Sequence, residues 1–271
     1  MLRTHGLTKE FGGLTAVDDV DFELGDELCS LIGPNGAGKT TFFDLLTGAL
    51  EPTRGTIELR RDGSDGWRDV TDASPDETAA LGVHRSYQIT NVFPTLSVLE
   101  NVRIAAQAGG DDAATFWRNV DAYDEYVREA REILDRVGLA DRADDVAENL
   151  SHGASRQLEV AVALAGDPDV LLLDEPNAGV SSESVDEIVA LIEDVAADHA
   201  VLLVEHNMDI VMEVSDRVVV LNQGAVIADD EPAAVRDDPA VQEAYLGGYE
   251  PGDLDDRGSD SPGRDEGGGV A

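Results

Sequence analysis

The chain has 271 residues, 42% of them hydrophobic, which is enough for a substantial core and too apolar for a disordered polymer. Its 57 acidic residues outnumber 19 basic ones, and the formal net charge of −38 repels nucleic acid, so no nucleic-acid partner is expected. No apolar run reaches the roughly 18 residues of a membrane span.

The acids are spread along the whole chain, and Lys9 and Lys39 are its only lysines. Such self-repulsion is best tolerated where salt screens it, with a Debye length of about 3 Å at 1 M. The reading is a protein of an extreme halophile, with a halophilic archaeon as the expected source. The start, MLRTHGLTKEF, lacks the apolar core of a signal peptide, which predicts a cytoplasmic location. Cys29, the single cysteine, sits in the apolar stretch Leu28 to Ile32 and reads as a buried core thiol.

In chain order, apolar runs at Glu27–Ile32, Val170–Leu173, Ala200–Val204 and Arg217–Leu221 predict buried strands. Helical spacing predicts a helix over Thr40–Thr47 that stops at Gly48. Tyr123, Tyr126, Val127, Ala130, Ile133, Leu134 and Val137 predict a second, ended by Gly138, and Leu158, Ala161, Val162 and Ala165 a third. Between these, Arg60–Pro75 reads as a solvated hairpin loop. From about Asn91 to Asp167 the strand signal vanishes, which predicts a helical lobe inserted into a sheet-containing core. The polar segment 248–271 reads as a disordered, solvating tail. The class is α/β.

Gly33-Pro34-Asn35-Gly36-Ala37-Gly38-Lys39-Thr40-Thr41 fits G-x-x-x-x-G-K-[ST] between a predicted strand and a predicted helix. Glycines allow successive backbone N–H groups to face phosphate oxygens, and the helix N-terminus adds its positive dipole end. Lys39 supplies a point charge, and the Thr40 hydroxyl can enter a Mg²⁺ shell. Val170 to Pro176 is an apolar strand ending in two acids. At the carboxyl edge of a sheet, Asp174 is placed to hold Mg²⁺ and Glu175 to polarise an attacking water. Leu150-Ser151-His152-Gly153-Ala154 opens the helix containing Leu158, and Ser151 alone reads equally well as an N-cap.

The order of phosphate loop, Gln88, Ser151–Gly153 segment, Asp174-Glu175-Pro176 and His206 resembles the ATP-binding subunits of ABC transporters over residues 2–247. The resemblance implies a RecA-like P-loop NTPase core with an antiparallel β subdomain and the helical subdomain at about 91–167. It implies ATP hydrolysis, with Phe11 stacking on adenine, Gln88 touching Mg²⁺ together with Thr40 and Asp174, and His206 contacting the γ-phosphate. Ser151, His152 and Gly153 would close on the ATP held by a second ATP-binding subunit. Two membrane-spanning permeases and an external substrate-binding protein complete the implied assembly, at the cytoplasmic face of the membrane. The family's signature most often reads LSGGQ, whereas His152 and Ala154 stand here, and Ser181 replaces a frequent aspartate. The stretches RSYQITNVFPTLSVLENV, LDEPNAGV and VEHNMDIVMEVSDRVVVLNQG, with the ending AYLGG, are similar to branched-chain amino-acid importers and to the related urea importers.

Overall fold

The computed structural model describes residues 1–61, 66–86, 92–109, 120–180 and 182–246. Gln88, Ser181 and the tail from 248 lie outside the described residues. In chain order the elements are β1 (Leu2–Phe11), β2 (Leu14–Leu24), β3 (Leu28–Ile32), α1 (Lys39–Leu46), β4 (Arg54–Leu59), β5 (Arg68–Asp69), α2 (Pro75–Ala80) and β6 (Val83–Ser86). Then follow α3 (Val98–Gly109), α4 (Val120–Arg136), α5 (His152–Leu164), β7 (Val170–Asp174), α6 (Ser182–Ala196), β8 (Ala200–Val204) and α7 (Met208–Val214). The last of the described elements are β9 (Arg217–Asn222), β10 (Ala225–Asp230), α8 (Pro232–Asp237) and α9 (Pro239–Leu246).

Six strands form one sheet in the order β10-β9-β3-β8-β7-β6, with β9 through β6 parallel and β10 an antiparallel edge. Every residue of β3, β7 and β8 is buried, as a parallel sheet covered on both faces requires. Strand alternation divides the core. Leu171, Leu173, Val201 and Leu203 face the cluster built with α3, α4, α5 and α6. Their neighbours Val170, Leu172, Leu202 and Val204 face the opposite cluster, which contains Phe42, Phe43, Leu45 and Leu46 of α1.

That second cluster is closed by an antiparallel sheet of order β2-β1-β4-β5, which contributes Leu2, Leu7, Phe22 and Ile57. The hairpin expected between Arg60 and Pro75 contains the short strand β5, paired to β4. Trp67 lies there with the guanidinium groups of Arg3 at 4.1 Å and Arg60 at 4.9 Å from its ring. A third, smaller cluster packs Val235 of α8 and Val241 of α9 against Ile32, Val218 and Val220. Cys29 is fully buried and the pKa of its thiol is pushed up to about 12, chiefly by burial.

From Val98 to Leu164 the named elements are helices α3, α4 and α5 and two short 3-10 turns. Ser97 and Val146 form an isolated bridge that closes this lobe on itself. Arg136 at the end of α4 reaches Asp194 and Asp198 at 2.6 Å each and so ties the lobe to the α6 side of the core.

Candidate functional site

The parallel sheet places three strand ends side by side, since β8 lies between β3 and β7. The chain after β3 is the glycine-rich loop, after β7 comes Glu175, and after β8 come Glu205 and His206. All three lie at the carboxyl edge, where ligands bind in open α/β sheets.

The loop is wedged in place by its backbone. A Cβ on Gly33 would meet the Leu221 carbonyl at 2.1 Å, and one on Gly38 would meet the Ala16 carbonyl at 2.2 Å. Both glycines also adopt φ values that side chains disfavour, +153° and +107°. The N-terminus of α1, capped by Gly38 with no side-chain bond and no acid in its first turn, leaves its N–H groups to the loop's concave side. Lys39 is buried and donates from Nζ to the carbonyls of Gly33 (2.7 Å) and Pro34 (3.2 Å). Burial lowers its pKa from the ordinary lysine value, opposed by the negative charges of Glu175 and Asp174.

A cleft of about 670 Å³ opens over this loop, walled by Asn35 to Thr41, by Phe11 and Leu14 of the β1–β2 hairpin, and by Glu175 and His206. Phe11 and Leu14 are exposed there and offer an apolar platform beside the loop. The Lys9 ammonium sits 5.3 Å from the Phe11 ring, so both lysines of the chain border this region.

Glu175 adopts φ +49°, a left-handed conformation costing a non-glycine residue on the order of 1 kcal/mol. Its N–H donates to the Val204 carbonyl at 2.8 Å, which draws it towards the end of β8. There its Oε1 lies 2.6 Å from Nε2 of His206. Asp174 is buried one residue earlier and is not in the cleft wall; its Oδ2 is held at 2.5 Å by Arg85 of β6.

Ser151 is the N-cap of α5, its hydroxyl accepting from the Ala154 N–H at 3.4 Å. It borders a different surface groove, with Arg136, Arg142 and Glu187, rather than the cleft. One chain therefore gathers Phe11, the loop, Glu175 and His206, and leaves the Ser151–Gly153 turn elsewhere.

Three residues at the site escape a reading of the sequence. The Arg85 side chain, 6% exposed, lies between Asp174 and Asp44, and Glu205 is buried between the loops that carry Glu175 and His206. Both stand in stretches whose other residues carry the recognisable patterns. A lone charge directly following an apolar strand, as Glu205 follows Ala200–Val204, is the signal available for it. Tyr245 of α9 is the third: burial raises its phenol pKa, opposed by a hydrogen bond with the Gly33 backbone.

Residues 17–178 match the family model described as ABC transporter. The chain belongs to the ABC transporter family. Residues 225–251 of this cassette also match the model described as branched-chain amino acid ATP-binding cassette transporter, and they include α8, α9 and Tyr245. The high-affinity branched-chain amino acid transport ATP-binding protein LivG of Escherichia coli (strain K12) is 39% identical over 91% of this chain and 98% of its own. A probable branched-chain amino acid transport ATP-binding protein LivG of Archaeoglobus fulgidus is 34% identical, with 91% and 95% covered. Among solved structures, a nucleotide-free ATP-binding cassette from an ABC transporter superposes with a TM-score of 0.78 at 29% identity, covering 91% of this chain and 99% of the other. The cassette thus has the P-loop NTPase fold of an ABC ATPase.

The donor set suits Mg²⁺ bound together with a nucleotide. One hydroxyl (Thr40) and one or two carboxylates beside an anion cradle match an ion that takes its remaining ligands from phosphate and water. Among the described residues no group of three or more His, Cys, Asp or Glu could hold a metal by itself.

Proposed function

We propose that this cassette hydrolyses ATP to drive uptake of branched-chain amino acids through membrane-spanning partners. The observation that carries the catalytic half is Glu175 paired with His206 at 2.6 Å in the cleft that holds the phosphate loop. The likeness of residues 225–251 to the branched-chain amino acid model, and of nearly the whole chain to LivG, supports the substrate half.

In this reading the loop N–H groups and Lys39 hold the β and γ phosphates, and Phe11 carries the adenine ring. Thr40 and Asp174, with Gln88, would hold Mg²⁺, which would supply neutralisation of phosphate charge. Glu175 accepts a proton from the attacking water, and His206 orients Glu175 and reaches the γ-phosphate. Water attacks phosphorus, the bond to the ADP oxygen breaks, and ADP and inorganic phosphate leave.

The site is completed by Ser151, His152 and Gly153 of a second ATP-binding subunit, so ATP acts as a ligand of the closed dimer. Closure is passed to two permease subunits, and an external binding protein delivers the amino acid. Among the described residues no helix is long and apolar enough to cross a membrane, which is compatible with a peripheral subunit on the cytoplasmic face. Deleting this chain should abolish ATP-dependent leucine uptake and leave urea uptake unchanged. Loss of urea uptake with leucine uptake intact would overturn the substrate reading.

The charge of −38 further supports a salt-rich cytoplasm. Raising KCl from about 0.1 to about 1 M shortens the Debye length from about 10 Å to about 3 Å and relieves repulsion among exposed acids. Calorimetry should therefore show the melting temperature rising across that range. A falling melting temperature would refute the adaptation.

A further inference from the structure

The loop after β7 and the loop after β8 carry the two side chains of the reacting pair, and a third side chain, a buried carboxylate, joins them. Glu205 is 5% exposed. Its Oε1 accepts from the backbone N–H of Asn177 and from Asn177 Nδ2, both at 3.1 Å. Its Oε2 accepts from the backbone N–H groups of His206 (3.0 Å) and Asn207 (3.4 Å). One carboxylate thus gathers four N–H donors from two loops.

Asn177 shows that this junction dominates its surroundings. With Nδ2 turned to Glu205, its Oδ1 is buried and meets no hydrogen-bond donor among the described residues. A buried acceptor left unmet is costly, and the opposite amide orientation would set Oδ1 against the Glu205 carboxylate. The charge-assisted bond decides the orientation. Asn207 is fixed from both sides, since its N–H points at Glu205 while its side chain caps α7 by accepting from Asp209 N–H at 3.0 Å. The His206 backbone is therefore held between Glu205 and a capped helix. The Glu175 turn is held through Asn177, whose neighbour Ala178 donates to the Glu175 carbonyl at 3.0 Å.

We infer that Glu205 is a positioning residue for hydrolysis, locking the 175–178 turn to the 205–207 turn so that Glu175 and His206 meet across the nucleotide cleft. It is not among the residues that wall the cleft, and it acts through the backbones of His206 and Asn177. This rests on the reading of Glu175 and His206 as the pair that serves ATP hydrolysis.

The clamp needs an acceptor at 205 and a donor at 177, so exchanging the two roles offers a test. Glu205→Gln places an amide against the Asn177 amide, and Asn177→Asp places a second carboxylate against Glu205. Each single change should lower kcat about 10- to 100-fold, because a small misplacement of reacting groups has that effect. Neither should change the Kd for Mg-ATP, measured by equilibrium binding, by more than about 2-fold. In the double variant the new amide at position 205 donates to the new carboxylate at position 177 and its oxygen still accepts from the His206 N–H, so the side-chain bond between the two turns is restored although the backbone N–H of residue 177 loses its acceptor. The kcat should therefore recover above that of either single variant.

Turnover of Glu205→Gln within about 2-fold of the parent chain would overturn the inference. So would parallel losses of kcat, ATP affinity and melting temperature with additive effects in the double variant, the mark of a merely structural residue. Absence of Mg-ATP hydrolysis by the unaltered chain would overturn the proposed function itself, a result distinct from either.

Discussion

Glu175→Gln should bind Mg-ATP as well as the unaltered chain does and hydrolyse it about 10²- to 10⁴-fold more slowly, the range for removing a general base. The change keeps the size and most of the hydrogen bonding of the side chain and removes only its ability to accept a proton. The amide that replaces the carboxylate can still meet His206 Nε2, so the arrangement seen at 2.6 Å should persist. One negative charge leaves a cleft where Glu175 and Asp174 both act on Lys39, and that loss does not weaken the binding of a nucleotide polyanion. Binding and turnover should therefore separate: unchanged Kd for Mg-ATP, almost no released phosphate, and a dimer that persists in ATP on size exclusion. Turnover within about 3-fold of the parent would remove Glu175 from the role of base.

The strained backbone at Glu175 belongs to the same argument. A residue at φ +49° that glycine would occupy more cheaply persists when its side chain is needed. The N–H bond to Val204 and the clamp through Asn177 and Glu205 hold that conformation.

What the sequence disclosed and what it concealed follow from the range of the interactions. Apolar runs marked β3, β7, β8 and β9 nearly to the residue, because strands buried on both faces are apolar along most of their length. The helix after the phosphate loop was legible for a similar local reason, its apolar face and the positive-φ Gly48 after it. Leu14–Leu24 alternates buried and exposed residues with several acids on its outer face, and its hydrophobic signal was correspondingly weak. The four-residue β6, with His84 and Arg85 inside it, carries no strand pattern at all.

The site divides in the same way. The loop, Asp174 and Glu175 form contiguous motifs whose chemistry can be read locally. Phe11, Ser151 and His206 were legible only through the order of motifs along the chain. Arg85 and Glu205 act through partners 89 and 28 residues away, at Asp174 and Asn177, and no local spacing announces such pairs. Composition hid Glu205 further: among 57 acids, only its place directly after an apolar strand sets it apart.

Arg85 supports the prediction with the largest effect on stability. Its side chain is only 6% exposed, and its two terminal nitrogens reach Asp44 of α1 at 2.6 Å and Asp174 of β7 at 2.5 Å. Its guanidinium carbon also lies 5.4 Å from the Phe43 ring. Burial acts to lower the Arg85 pKa, and the hydrogen bonds to Asp174 and Asp44 outweigh it, so the guanidinium is held above its ordinary value. Arg85→Ala leaves Asp174 as a buried charge without its guanidinium and should destabilise the fold by about 3–5 kcal/mol. At the conversion for a chain of this size, the lower end corresponds to a melting temperature roughly 6–12 °C lower. Because the pair is buried, molar KCl should not restore the loss, whereas an exposed ion pair would already be screened. The Arg85→Ala and Asp44→Ala changes should be strongly non-additive, since both strike one network. A loss below about 1 kcal/mol would mean that Arg85 behaves as a surface ion pair. Asp174 would then owe its place to the strand rather than to the cation beside it.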